Sequence, residues 1–589
     1  MRKHIRPVGI RGRKRTLMWS SAAAAIAVVA LHPRPAQAQA FVGTPTTATG
    51  TVTYDRATPS VETITVNSPT ATINWTPTGT VTTDGTIIFL PAGNTATFTN
   101  GGSVTDFTVL NRISAGVPIE FNGHVISQLQ SASGTATGGH VWFYNPGGII
   151  VGATAVFDVG GLLLTTNDPL TFSTTATGFA GNFVASSNST ASVRIDPGAQ
   201  INALPENSYV ALVAPRVEQN GTVNVNGSAA YVGGEDVTLT MNQGLFDIAV
   251  NVGTSDPFNP DSGNGVVHTG TTTGPSSTGA PGDSHRIYMV AVPKNQALTM
   301  LLSGNVGFQP ASSINIRNGT IVLSAGSSIA ETSGTLNIIS PPNINADLVI
   351  GRGSYSSDVK GYARGDIDVT ADDGSMGFRQ NLFLTSLLAG ETGTITLGAS
   401  NGFNLIVDRS VVLQTSGAAF SSGAPEELNL LVDGGFVRIS GNLQMTAGAA
   451  ADGTPGDIEI SVRDVGANEG SLIVDGQTFL ATSADASSIL SGDSLDSQAG
   501  DVTVEALNGG SILFQSSLDI FASALGQDND GNGSGFNLGR AGDGRGGDIT
   551  INADNGGSIT VNWWLHADAT GIGGRMLDGG LFGGNGFGG

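Results

Sequence analysis

The sequence predicts an all-β protein: a right-handed parallel β-helix, or solenoid, with an elaborated, capped amino-terminal section. Three observations carry this. Val, Ile, Thr, Leu and Gly dominate the text, a composition that favours strands and turns over helices. Short apolar runs follow one another with Gly, Pro or Asn in nearly every gap, and helical periodicity is absent. From Gly365 a loose repeat emerges, in which strand, glycine turn and strand are followed by a longer third strand. Its copies begin "GDIDVT" at Gly365, "GTITLG" at Gly393, "GDIEIS" at Gly456, "GDVTVE" at Gly500 and "GDITIN" at Gly547, so the last starts are 44 and 47 residues apart.

Such a repeat cannot bury its apolar face alone, so successive coils must stack and leave strand edges open only at the ends. Parallel crossovers are overwhelmingly right-handed, which sets the expected hand. With roughly 20–25 residues per coil, each repeat unit would hold two coils, and coils about 4.8 Å apart would build a rod on the order of 100 Å long. A β-propeller or a string of β-sandwiches fits the irregular spacing less well.

The elements follow in order. Residues 1–40 read as an export signal. Arg2, Lys3, Arg6, Arg11, Arg13, Lys14 and Arg15 form a basic n-region, Leu17 to Leu31 is apolar, and "AQAQA" offers cleavage after Ala38 or Ala40. The apolar stretch is short for a membrane span, and no second long apolar run follows, so no stable membrane span is expected. Residues 41–250 are strand after strand, including "TATINW", "GTIIFL", "TATFTN" and "SVTDFTVL". Residues 251–286 are small, polar and rich in Gly, Ser, Thr and Pro, and read as a flexible insertion. Strand text resumes over 287–364, the repeats fill 365–578, and 579–589 is a glycine-rich tail expected to lack regular structure.

Charge and cysteine content narrow the function classes. Past residue 40 the chain keeps 17 of its 25 basic residues and all 47 acidic ones, a net charge of −30. That surface repels phosphate backbones and anionic lipid, which excludes nucleic acid as a partner. There is no cysteine, so stability rests on packing and hydrogen bonds, and no bridge prevents the chain from moving unfolded through a channel.

The most unusual mature segment is "HVWFYNPGGIIVGATAVFDVGGLLLTT", His140 to Thr166. Val141 and Phe143 alternate with Trp142 and Tyr144, so the strand is apolar on both faces and must be covered on both. The solenoid interior covers one face, and extra elements must cover the other. Pro146 presets one turn corner, Gly147 and Gly148 can take positive φ, and Asn145 can bond its own turn backbone.

Together with "INW" (Ile73–Trp75), "LNRI" (Leu110–Ile113), "NGHV" (Asn122–Val125) and "DVGGLLLTT" (Asp158–Thr166), this segment resembles the amino-terminal secretion domain of two-partner-secretion exoproteins, the filamentous-haemagglutinin-like adhesins. The likeness is collinear and covers about Phe41 to Ile248. It implies a β-helix that folds outside a Gram-negative cell after periplasmic transit, giving an extracellular or surface-associated protein. It also implies an outer-membrane transporter with periplasmic binding domains as partner. The secretion motif carried over is Asn145, Pro146, Gly147, Gly148, Ile149, Ile150, Val151 and Gly152. Gly147 stands where the family usually has asparagine, and the nearest text to its upstream Asn-Pro motif is Gly116–Pro118. The function implied is adhesion, through a receptor on host cells, bacterial cells or glycans that the sequence does not name.

Other patterns yield no chemistry. Arg364-Gly365-Asp366 spells a cell-attachment tripeptide, but Gly-Asp-Ile recurs as the repeat start at Gly456 and Gly547. Asp528, Asp530 and Asn532 have calcium-loop spacing without a closing acidic residue. "GASNG" at Gly398 and "GDGRGG" at Gly542 fit nucleophile-elbow and phosphate-loop patterns, yet neither leads from a strand into a helix. His124, His140, His268, His285 and His566 show no metal-ligand spacing, so neither a metal nor a cofactor is expected. A polysaccharide-degrading β-helix enzyme needs acids grouped with bases, which this chain lacks. A toxin or haemolysin stem needs an effector domain, whereas this sequence ends in "GGLFGGNGFGG". No catalytic residue is assigned.

Overall fold

The computed structural model describes residues 39–175, 178–254, 265–277, 283–294, 298–311, 319–332, 335–339, 345–387, 393–415, 427–448, 455–485, 496–528, 541–575 and 584–589. The signal segment up to residue 38, residues 255–264 and 278–282, and Asp530 and Asn532 lie outside these, whereas 266–268 and 271–273, within the stretch expected to be a flexible insertion, are parallel strands of the solenoid with Val266 and His268 buried. Among the described residues all regular structure is strand, and no helix is long and apolar enough to cross a membrane.

Three columns of parallel strands wind into one solenoid. Each coil contributes one segment to each column, as in 395–400, 404–407 and 411–415, which pair with 428–433, 436–439 and 443–448 of the next coil. The register aligns like with like. Ala71, Val109, Val141, Leu162, Val210, Ala229, Ile287, Ile321, Val359, Leu382, Val411 and Leu443 fall on one line through the stack. All are buried. A buried Val, Leu or Ile contributes about 1.5–3 kcal/mol, whereas an exposed ion pair such as Arg463–Asp433 contributes about 0–1. The interior ladder therefore sets the register.

The repeat unit differs from the expectation. Ile458 pairs with Val502, and Val502 with Ile549, so the 44- and 47-residue units are each one coil, not two. The extra length follows the third strand, where the described residues include only short paired segments such as 497–498 with 544–545. Fifteen segments, from 70–77 to 565–568, stack in the column just traced. At about 4.8 Å per rung the stack is about 70 Å long, shorter than the rod expected from composition. The glycine-rich end also departs from a loose tail: Gly586–Phe587 pairs in parallel with Gly544–Arg545.

The amino-terminal section is closed at its end and thickened at one side. Strand 43–49 runs antiparallel on 70–77, and 52–55 antiparallel on 61–66, which ends the parallel ladder. Phe41 fills the opening, its ring 4.9 Å from Phe89 and 5.1 Å from Trp75. Outside the helix, 168–175, 178–184, 236–242, 245–252, 328–332 and 335–339 form a six-stranded antiparallel sheet. That sheet buries the outward face of the traced column from Leu110 to Val322. The doubly apolar strand text is thereby explained: Val141 and Phe143 face the interior cluster, and Trp142 faces the covering sheet. Farther along, where no sheet covers the column, its outward positions include the exposed Gln414 and Gln444.

A polar cluster interrupts the interior. His268, fully buried, has Nδ1 2.9 Å from the Ser303 carbonyl oxygen and Nε2 2.9 Å from Thr272 Oγ1. Thr272 Oγ1 is also 2.8 Å from Tyr231 OH and accepts from Gln219 Nε2 at 3.2 Å. A carbonyl only accepts, so Nδ1 carries the proton and Nε2 takes the threonine hydroxyl proton, leaving the ring neutral. Burial lowers its pKa from 6.5 to about 4. The unfolded chain therefore takes up this proton first, and stability present above pH 6.5 is lost as pH falls towards 4. NMR titration should place His268 near 4. The difference in unfolding free energy between wild type and His268→Gln should shift by roughly 3 kcal/mol between pH 7 and 4, against the wild type. Titration of His268 near 6.5 would refute this.

Candidate functional site

The Asn145–Gly152 segment turns from the strand 140–144 into 149–151, and the coil beneath it carries a matching turn at 115–118. Strand 149–151 lies between 119–121 and 193–195 with all three residues in register on both sides. The corner is held by one buried side chain. Asn145 Nδ2 donates to the Val117 carbonyl (3.0 Å) and to the Gly148 carbonyl (2.7 Å), while its Oδ1 accepts the Ala115 amide (3.2 Å). The first and third bonds cross to the neighbouring coil, and the second closes the asparagine's own turn. No residue without both a donor and an acceptor can do this.

The turn lies so close to its neighbour that side-chain volume decides its sequence. A Cβ on Gly147 would stand 2.4 Å from the Val117 carbonyl oxygen and 2.5 Å from its amide nitrogen, so only glycine fits. Gly148 takes φ +123, which L side chains rarely adopt. The asparagine usual in the family is thus excluded at Gly147 by the Gly116-Val117-Pro118 turn packed against it. Of the eight motif residues only Pro146 is exposed, and Gly147 and Ile150 are half-buried. The folded motif therefore presents little for a partner to read.

The other stretches of the resemblance form staples of the same kind. Trp75 Nε1 of "INW" donates to Asn111 Oδ1 of "LNRI" (3.0 Å), and Asn111 Nδ2 donates to the Trp142 carbonyl (3.1 Å), joining three coils. His124 of "NGHV" is 2.7 Å from Asp158 of "DVGG". Asn167, just past "LLLTT", is buried and donates to the Gly234 carbonyl (2.9 Å), tying the solenoid to the covering sheet. These cross-coil roles were not foreseen, because partners some thirty residues apart leave no local pattern.

The remaining sequence candidates fall to structural duties. Arg364 is only 3% exposed, and Asp366 is built into a corner: its amide donates to Asp347 Oδ1 (3.0 Å) and its Oδ1 accepts the Thr394 amide (2.8 Å). The tripeptide is not presented for attachment. Asp528 Oδ1 accepts the Arg575 amide (2.6 Å) of the next coil. Ser400 ends strand 395–400, followed by Asn401 at φ 56, with no helix after it.

Asn145→Ala removes three hydrogen bonds at roughly 1 kcal/mol each and should cost about 3 kcal/mol in equilibrium denaturation. Gly147→Ala should cost about 1–3 kcal/mol by overpacking, and Gly147→Asn more. A fully stable Gly147→Asn protein would contradict the packing described.

Comparison with known proteins gives one family. Residues 80–338 match the family model of the TPS secretion domain. The last strand of the covering sheet ends at Ile339, so the match and the thickened section close together, well beyond residue 250. Among solved structures, the HMW1 secretion domain from Haemophilus influenzae is similar, at 15% identity and a TM-score of 0.40 over 89% of this chain and 99% of that one. No curated protein sequence matches. Residues 80–338, on the amino-terminal part of an all-β parallel solenoid, thus match the TPS secretion domain, the module that two-partner-secretion exoproteins carry.

Proposed function

We propose that this chain is an adhesin-like exoprotein, and that an outer-membrane transporter exports it by reading Asn145–Gly152 before the segment folds. One observation carries the second half. A motif with only Pro146 exposed after folding offers its side chains to a partner only while the chain is extended. The same residues then become the corner that fixes neighbouring coils, so folding outside the cell withdraws the signal that brought the chain there. The lack of cysteine fits transit as an extended chain. The periplasmic domains of the transporter are the partner in this reading, and the mature protein resides outside the cell or on its surface.

Adhesion is supported by what the surface offers. Several basic side chains along the coils pair with acids of the next rung, as in Arg379–Asp408, Arg438–Asp475 and Arg463–Asp433. The excess acid is left to present a long anionic face. That arrangement suits a display rod better than a hydrolase, whose groove needs free bases beside its acids.

The export half is tested with the periplasmic domains of the transporter and the mature chain, residues 39–589. The chain kept unfolded in dilute urea should bind, and the refolded chain should not. Equal binding of both would overturn the proposal. For adhesion, cells lacking the gene should attach less to host cells or to abiotic glycan surfaces, and added mature protein should compete with wild-type cells. Unchanged attachment in both assays would remove the adhesin reading and leave export intact.

A further inference from the structure

Three ligand-type side chains meet just before strand 286–291. Asp283 and His285 immediately precede strand 286–291, and Glu206 lies in the bulge that interrupts pairing between Ala203 and Ser208. One ligand atom from each lies within 4.8 Å of the others. The His285 side chain is 1% exposed, and its ring lies 5.3 Å from that of Phe308.

The tautomer of His285 is the informative detail. Nδ1 is 2.9 Å from the Pro275 carbonyl oxygen, which only accepts, so Nδ1 carries the proton. Nε2 is buried and makes no hydrogen bond, yet it lies 2.9 Å from Asp283 Oδ1 and 4.0 Å from Glu206 Oε1. On a neutral ring, this aims a bare lone pair at two carboxylates. Asn226 Nδ2 holds Glu206 Oε2 at 3.1 Å. Glu206 is 56% exposed and lines a groove of about 900 Å³, which gives an ion a way in.

We propose that Glu206, Asp283 and His285 bind a divalent transition-metal ion of the zinc class. One imidazole nitrogen and two carboxylate oxygens suit zinc, with bonds of about 2.0–2.2 Å, better than calcium or magnesium, which take six or more oxygens. Small shifts of the three donors bring them to that radius, and water supplies the fourth position through the open side at Glu206. The ligands come from two stretches more than seventy residues apart, so the site exists only after both coils are wound. The ion therefore clamps the segment 283–285 to the coil that carries Glu206 and stabilises only the folded form.

The test uses the mature chain, residues 39–589, stripped with EDTA and titrated with ZnCl2 by calorimetry at pH 7.5, with thermal unfolding alongside. One equivalent should bind and raise Tm. Glu206→Gln and Asp283→Asn should each weaken that equivalent by roughly tenfold or more. Glu206→Gln, at an exposed position, should keep the metal-free Tm of the wild type, which separates lost binding from lost folding. His285→Gln should abolish the equivalent. Absence of binding, or identical binding in all variants, overturns the proposal. So does a His285 ring that stays doubly protonated with ZnCl2 present, read from its 15N shifts, because a His–Asp ion pair then fills the site.

Discussion

Everything in this molecule follows from the need of each coil to find its backbone hydrogen bonds on its neighbours. A parallel strand cannot satisfy its own amides and carbonyls, and a buried unpaired group costs about 1–3 kcal/mol. Thus the corners must match as well as the strands. At one corner the Asp501 amide donates to Asp457 Oδ1 and the Asp548 amide to Asp501 Oδ1, both at 2.8 Å. At another, Asp358, Asn381, Ser410 and Asn442 each accept the amide of the next residue in the line, ending at Gln477. The recurring Gly-Asp of the sequence repeat is this device. It also accounts for the aspartate of Arg364-Gly365-Asp366, which is such a corner residue.

The two faces of the amino-terminal strands were legible because burial leaves a mark on every residue. Alternating Val141-Trp142-Phe143-Tyr144 text demanded cover on both sides, and the six-stranded sheet supplies it. The coil count was not legible. A 47-residue unit holding one coil and a long loop reads like two coils, since loop residues and strand residues share Gly, Ser, Asn and Ala. Pairings such as Asn111 with Trp142, or the approach of Glu206 to His285, depend on which residues stack, and that is known only once loop lengths are known.

The family resemblance and the packing meet at Gly147. The sequence marks it as a departure from the usual asparagine, and the structure gives the reason in the Val117 backbone pressed against it. Val117 belongs to the 115–118 turn, itself a departure from the family text. The two departures touch: the Val117 backbone occupies the space that a side chain at 147 would need. Asn145, which bonds both turns, remains.

The plug of Phe41 and the antiparallel strand 43–49 close the solenoid at its amino-terminal end. A new coil can therefore be templated only on the other side, so winding has one direction, the order in which residues follow along the chain. Each finished rung is held by the hydrogen bonds of the next, so drawing the chain backwards means breaking the ladder rung by rung from the open end. The cap makes the growing solenoid a ratchet whose pawl is every completed turn.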